Sequence, residues 1–213
     1  MKHLFFIVLP FVQCICLAQS DTTKEVLIGK DIWMTENLNV DRFRNGDLIK
    51  EAKTTDEWLR AAENKRPAWC YYNNDSTKGS MYGRMYNWYA VIDPRGLAPQ
   101  GWHISTDLEW EALVEFSGGR KKAGKKLKSR NGWARDANGN NESGFNGLPG
   151  GIRWYFGDAN FNFAGDWGCW WMAPGGRSTY IGNYAQLLSN VNQCFMGDYG
   201  YGTAASVRCV KNK

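Results

Sequence analysis

A chain of 213 residues suits one domain with a sizeable core, and two would be crowded. Eleven tryptophans and 24 glycines, with few long apolar runs, argue against a helical bundle and for a loop-rich β or α+β domain. The formal net charge of +5 is only mildly basic.

The first twenty residues read MKHLFFIVLPFVQCICLAQS. Lys2 supplies a positive start, Leu4 to Leu17 is almost wholly apolar, and Ala18 offers a small residue for cleavage. That is the layout of a secretory signal peptide over residues 1–18, and the apolar run is too short for an ordinary membrane span. No lipobox precedes Cys14. Residues 19–213 are then one exported domain, secreted or held at the cell surface. It retains four cysteines: Cys70, Cys169, Cys194 and Cys209. An even number in an exported chain fits two disulfides, and three pairings are open.

Short strands are expected around Val26–Ile28 and Ile32–Met34. Residues 54–64, TTDEWLRAAEN, carry a threonine cap, early acids and good helix formers, which predicts a short helix. WCYYNN (69–74) reads as a strand running into a turn, and YGRMYNWYAVI (82–92) as a strand or a buried irregular segment. The clearest helix begins after Thr106, with Glu109 completing a capping box, and stops at Gly118–Gly119. Trp110, Leu113 and Val114 form one stripe of it, extended by Phe116. The basic run RKKAGKKLKSR (120–130) reads as a solvated surface. GFNGLPGGIR (144–153) reads as a tight turn delivering a strand into an aromatic core, and ASVRCVK (205–211) as a terminal strand returning to the sheet.

Several blocks carry a resemblance: GKDIWMTENLN (29–39), PAWCYYNND (67–75), YGRMYNWYAV (82–91), GWHISTDLEWEAL (101–113), ESGFNGLPGGIR (142–153) and SVRCVK (206–211). In this order they resemble the Fibrobacter succinogenes major paralogous domain, an exported family that usually has no assigned activity. GWHISTDLEWEAL and SVRCV are also similar, more distantly, to the formylglycine-generating enzymes. That likeness implies an irregular α+β, C-type-lectin-like domain with two short helices and twisted antiparallel strands. The oxidase activity does not carry over, because Cys194 stands alone where a close thiol pair would be needed. The block before GWH usually begins with cysteine and proline, whereas this chain has Ala98. The resemblance therefore implies that Cys209 pairs elsewhere, with Cys70, leaving Cys169 with Cys194.

The remaining chemistry is weighed residue by residue. Asp158, Asp166 and Asp198 are the acids available to a polysaccharide hydrolase, but acids beside glycine and asparagine more often form turns. His103 precedes a capped helix, where a structural role is expected. Asp136, Asn138, Asn140 and Glu142 alternate as the front of a calcium loop does, so calcium is the candidate metal. The basic run lacks interleaved aromatics, and an exported chain meets no nucleic acid, so none is expected as a partner. Aromatics crowd residues 154–171, and Trp154, Trp167, Trp170 and Trp171 are the candidate ligand-binding rings, since sugar faces stack on exposed indoles. The expected function is a non-catalytic binding or structural surface domain, with an extracellular glycan or another envelope component as partner and an orphan polysaccharide hydrolase as the alternative.

Overall fold

In a computed structural model, residues 24–174 and 182–213 are described. The expected signal peptide, residues 1–18, lies outside them. Strands β1 (Glu25–Ile28) and β2 (Asp31–Met34) form the expected hairpin. A two-residue strand β3 (Lys50–Glu51) leads to helix α1 (Thr55–Glu63). Thr54 caps α1 by accepting the Glu57 N–H, and the Glu57 carboxylate returns to the Thr54 N–H. The helix buries Trp58 completely, and its indole N–H donates to the Gly202 carbonyl at 2.9 Å.

The WCYYNN segment is a strand running into a turn, as expected. Strand β4 (Ala68–Cys70) stops at the cysteine, and Tyr72–Asn74 turn helically, with Asn73 and Asn74 at positive φ. Residues 79–91 become a helical turn α2 (Gly79–Tyr82), a strand β5 (Met85–Tyr86) and a second helical turn α3 (Trp88–Val91). Strand β6 (Trp102–Ile104) enters helix α4 (Asp107–Phe116), whose Thr106–Glu109 capping box is present as expected. Trp110, Leu113 and Val114 face inward and Ser117 continues that face, but Phe116 is exposed and lies off the stripe its sequence suggests. A short helix α5 (Ala123–Leu127) interrupts the basic run.

The second half is built from β7 (Ile152–Arg153), β8 (Phe161–Asn162), β9 (Trp167–Trp171), β10 (Gly182–Leu188), β11 (Cys194–Tyr199), β12 (Ser206–Val207) and β13 (Cys209–Lys211). One sheet runs β1-β2-β13-β6, so the last strand lies beside the first hairpin. A second runs β11-β10-β9-β12, with β12 parallel to β9. A three-stranded sheet β3-β4-β5 and the β7–β8 hairpin complete an α+β architecture.

The second sheet is covered on both faces. On one side Trp110, Leu113, Val114, Trp33 and Phe145 pack against Trp170 and Leu187. On the other, Trp88, Trp102, Met34 and Val207 pack against Cys169 and Trp171. GFNGLPGGIR serves the first side. It threads Phe145 among Trp33, Trp110 and Trp170, with ring centroids 5.2–5.7 Å apart and edge-to-face angles of 70–75°. At its end Gly151 takes φ +69, where a Cβ would stand 2.5 Å from the Asn162 carbonyl, so only glycine fits the entry to β7.

The terminal strand is broken between β12 and β13 by Arg208, which is fully buried. Its guanidinium donates to the Met34 and Phe145 carbonyls and to Asn37 Oδ1, and burial pushes its pKa down to about 9. Asn37 Oδ1 also accepts the Trp170 indole N–H at 2.8 Å. A buried polar knot, Asn37–Arg208–Trp170, thus ties the first hairpin to the centre of the second sheet. Such a charge is tolerated because neutral carbonyl dipoles satisfy its donors.

Candidate functional site

Adjacent tryptophans on a strand point to opposite faces. On a one-sided sheet, one of Trp170 and Trp171 would meet solvent. Strand β9 is buried on both sides, so both rings are 0% exposed, and neither can be a ligand platform. Each indole N–H is also engaged within the fold, Trp170 with Asn37 and Trp171 with the Tyr86 carbonyl at 2.7 Å. The expectation for these two residues is corrected: they are core.

Trp154 and Trp167 stand differently. Both are half-buried and rest on the edge of the core that contains Trp171. They flank the β7–β8 hairpin at its two ends. At the loop end, strand geometry stops at Arg153 instead of continuing through Trp154–Phe156, and the chain turns outward. Arg153 is buried beneath that turn, donating to the Ala52, Thr54 and Ala159 carbonyls between the rings of Trp58 and Phe161. With the strand anchored there, the rings that follow are presented to solvent: Tyr155 is 38% and Phe156 57% exposed. Phe156 packs on Trp154 at 5.2 Å, Trp154 on Tyr199 at 5.8 Å, and Tyr199 stacks on Tyr184 at 3.7 Å with an interplanar angle of 5°. At the other end Phe163 stacks on Trp167 at 3.7 Å and 15°, and is 39% exposed.

Beside the outward turn lies a pocket of ≈ 520 Å³. Tyr89, Tyr155 and Tyr201 form its aromatic wall, and the end of α1 (Ala62, Glu63) forms another. Tyr89 and Tyr201 meet edge to face at 5.9 Å. Burial, and then the nearby Tyr201 and Tyr155, push the Tyr89 phenol up. Tyr155 lies flat on the backbone of the YGYG segment: a Cβ at Gly200 would stand 2.2 Å from its ring, and one at Gly202 2.5 Å from its Cβ. The tyrosines come from three distant stretches of chain, and nothing in their spacing announces the pocket.

The acids proposed for hydrolysis are dispersed. Asp166 is held by Arg135 and by the Ser189 hydroxyl, which donates to it at 2.6 Å. Asp198 lies on β11 opposite Asn183, in a shallow depression shared with Asp107, Glu111 and Arg120. Asp158 sits in the exposed β7–β8 loop, its carbonyl accepting from Thr55 Oγ1. His103 is held at both ring nitrogens, by Glu109 at 2.7 Å and by Asn212 at 2.8 Å. It ties the start of α4 to the C-terminus.

Three of the four side chains proposed for calcium in the loop Asp136–Glu142, namely Asn138, Asn140 and Glu142, engage their oxygens within the protein. Asn138 Oδ1 accepts the Trp133 N–H, Asn140 Oδ1 accepts the Glu142 N–H, and the Glu142 carboxylate pairs with Lys126 at 2.7 Å. Among the described residues, no three His, Cys, Asp or Glu side chains gather as metal ligands would. The basic run and this loop are stitched to each other. Lys125 donates to the Asn138 carbonyl and Arg130 to the Asn140 carbonyl. Lys128 leaves the expected solvated surface altogether: it is buried, and burial with Lys125 nearby pushes its pKa down to about 8.

The four cysteines are free and buried. Cys169 on β9 and Cys194 on β11 are separated by β10, two strand spacings of about 4.8 Å each, and belong to opposite faces of the sheet. That exceeds the ~7 Å Cα limit for a disulfide, so this pairing is excluded. Cys70 and Cys209 lie in different core groups. Burial pushes all four thiols up to about 12, which keeps them protonated and unreactive.

The family model of the Fibrobacter succinogenes major domain matches residues 26–211. The chain belongs to that family, and the match takes in both sheets and the outward turn. No curated protein and no solved structure matches it.

Proposed function

We propose that the chain is an exported, non-catalytic binding domain of C-type-lectin-like architecture, whose ligand is an extracellular glycan. The observation that carries this reading is the outward turn Trp154–Phe156, which presents aromatic faces to solvent on a buried arginine anchor. Sugar C–H faces stack on such rings, and Asn160 and Asp158 in the same exposed loop offer the polar groups that orient a sugar. The Phe163–Trp167 pair is a second platform. Phe163 is held there at φ +66, a conformation that costs a bulky residue about 1–2 kcal/mol and tends to persist at working sites. The architecture is supported by the pairing of terminal strands in one sheet and by the two capped helices. Export rests on the layout of residues 1–18. No described helix is long and apolar enough to cross a membrane. The scattered positions of Asp158, Asp166 and Asp198 favour binding over hydrolysis.

A glycan array probed with and without a calcium chelator tests the binding half. We expect retention on at least one glycan class, unchanged by chelation and lost in Phe156→Ala. Absence of retention on every glycan would sink the reading. N-terminal sequencing of the protein from its native host tests export, with a start at Gln19 expected.

A further inference from the structure

We infer that the tyrosine pocket beside the outward turn takes a methylated ammonium group. Its aromatic wall is Tyr89, Tyr155 and Tyr201, and Glu63 is the one ionisable residue besides these tyrosines in its lining. Among the described residues no ion pair engages that carboxylate, and no lysine or arginine lines the pocket. Aromatic faces carry negative potential and attract a cation, most of all a weakly hydrated one. The pocket also receives the C-terminal end of α1, where the helix dipole is negative. Three independent features thus favour positive charge at one place: ring faces, a free carboxylate and a helix end.

The lining also discriminates among cations. A metal ion needs several oxygen ligands, and a single carboxylate beside three rings does not supply them. A primary ammonium brings three donors that call for close acceptors, whereas methyl groups need only ring faces. The volume, ≈ 520 Å³, exceeds that of the ammonium group, so the rest of the carrier molecule is also accommodated. The walls are held in place. Tyr155 is fixed by its contact with Gly200 and Gly202, and the Tyr201 carbonyl accepts the Trp88 N–H at 2.9 Å. This inference does not depend on the glycan reading, since stacking of a neutral sugar makes no use of Glu63.

The experiment is a calorimetric or NMR titration of the full chain with choline, alongside its neutral isostere 3,3-dimethylbutan-1-ol. Choline is expected to bind roughly tenfold or more tightly than the isostere, as three aromatic contacts and one charge contact predict. Tyr201→Leu should weaken choline binding by about fivefold and Tyr201→Phe should preserve it. Glu63→Gln should weaken it by roughly threefold and flatten its salt dependence. Equal affinity for the two ligands, or no choline binding, overturns the inference. So does unchanged choline affinity in Glu63→Gln, an exposed change that decides the matter if Tyr201→Leu does not fold. Glycan retention is expected to survive Glu63→Gln, so the two readings fail separately.

Discussion

Strand β9 and the turn at Trp154–Phe156 are written in nearly the same chemistry, and the fold uses them in opposite ways. In β9 the rings of Trp170 and Trp171 are sealed on both sides of the sheet. In the turn Tyr155 and Phe156 face water. Ring identity does not separate the two. Coverage does: α4, Trp33 and Phe145 close over one face of β9, and Trp88, Trp102 and Met34 close over the other. The turn lies beyond the last strand pair of its hairpin, where Tyr155 and Phe156 keep a side open to solvent. Aromatic density in a sequence therefore marks a core and a binding face equally well, and only the layering around it tells them apart.

The sharpest break of this comparison is truncation of the β9 rings. Trp170→Ala or Trp171→Ala should each lower stability by about 3–5 kcal/mol in urea denaturation, because a large cavity opens and a buried partner, Asn37 or the Tyr86 carbonyl, loses its donor. A loss below about 1 kcal/mol would mean that one face of the strand is open.

A buried charge reads the dryness of the same side. Lys128 is pushed down to about 8 by burial, so it sheds its proton in the folded state while the unfolded chain still holds one. Between about pH 8 and the ordinary lysine pKa near 10.5, the unfolded state binds more protons, and stability rises with pH. Below pH 8 both states are protonated and the burial cost is present in full. Relative to Lys128→Met, the wild-type chain should gain about 1–3 kcal/mol across that window, less than the roughly 3.5 kcal/mol that about 1.4 kcal/mol per pKa unit would give, because solvent screens part of the charge. Parallel pH profiles of the two proteins would show Lys128 to be hydrated.

A smaller change tests the packing within β9. Gly168 shares the Trp170 side of the strand, and a Cβ there would stand 2.5 Å from the Trp170 ring and 2.8 Å from the Leu148 carbonyl. Gly168→Ala should cost about 1–3 kcal/mol, from overpacking against backbone that cannot retreat. Thermal melts of the pair would show it, and an unchanged midpoint would place the Trp170 ring elsewhere.

Local signals were the legible part of this fold. The threonine cap of α1, the capping box of α4, the hairpin at Val26–Met34 and the turn before Ile152 are carried by neighbouring residues, which is why their sequence alone predicts them. What depends on distant chain was hidden. Arg208 alternates like any outward strand residue, yet it is buried because Met34, Asn37 and Phe145 arrive to satisfy it. Lys128 looks like one more charge in a basic run, until Ala137 and Ser189 close over it. The tyrosine pocket draws on residues 63, 89, 155 and 201, which no local pattern links. Of the four tryptophans proposed as a site, Trp170 and Trp171 inside β9 are core, whereas Trp167 at the start of that strand and Trp154 just after β7 remain partly open, a division set by sheet layering.

The smallest effect on stability should come from the outward rings, and it carries the most functional weight. Phe156 is 57% exposed, so Phe156→Ala should change stability by no more than about 0.5 kcal/mol. Phe163→Gly removes a stacked ring but also relieves a positive φ, and the two terms oppose each other at about 1 kcal/mol apiece. Its melting temperature should therefore stay close to that of the wild type while glycan retention falls. That outcome separates a ring kept for contact from one kept for folding. If Phe163→Gly instead unfolds the chain as Trp171→Ala does, then the Phe163–Trp167 pair is an extension of the core, and the binding face contracts to the Trp154–Phe156 turn and its pocket.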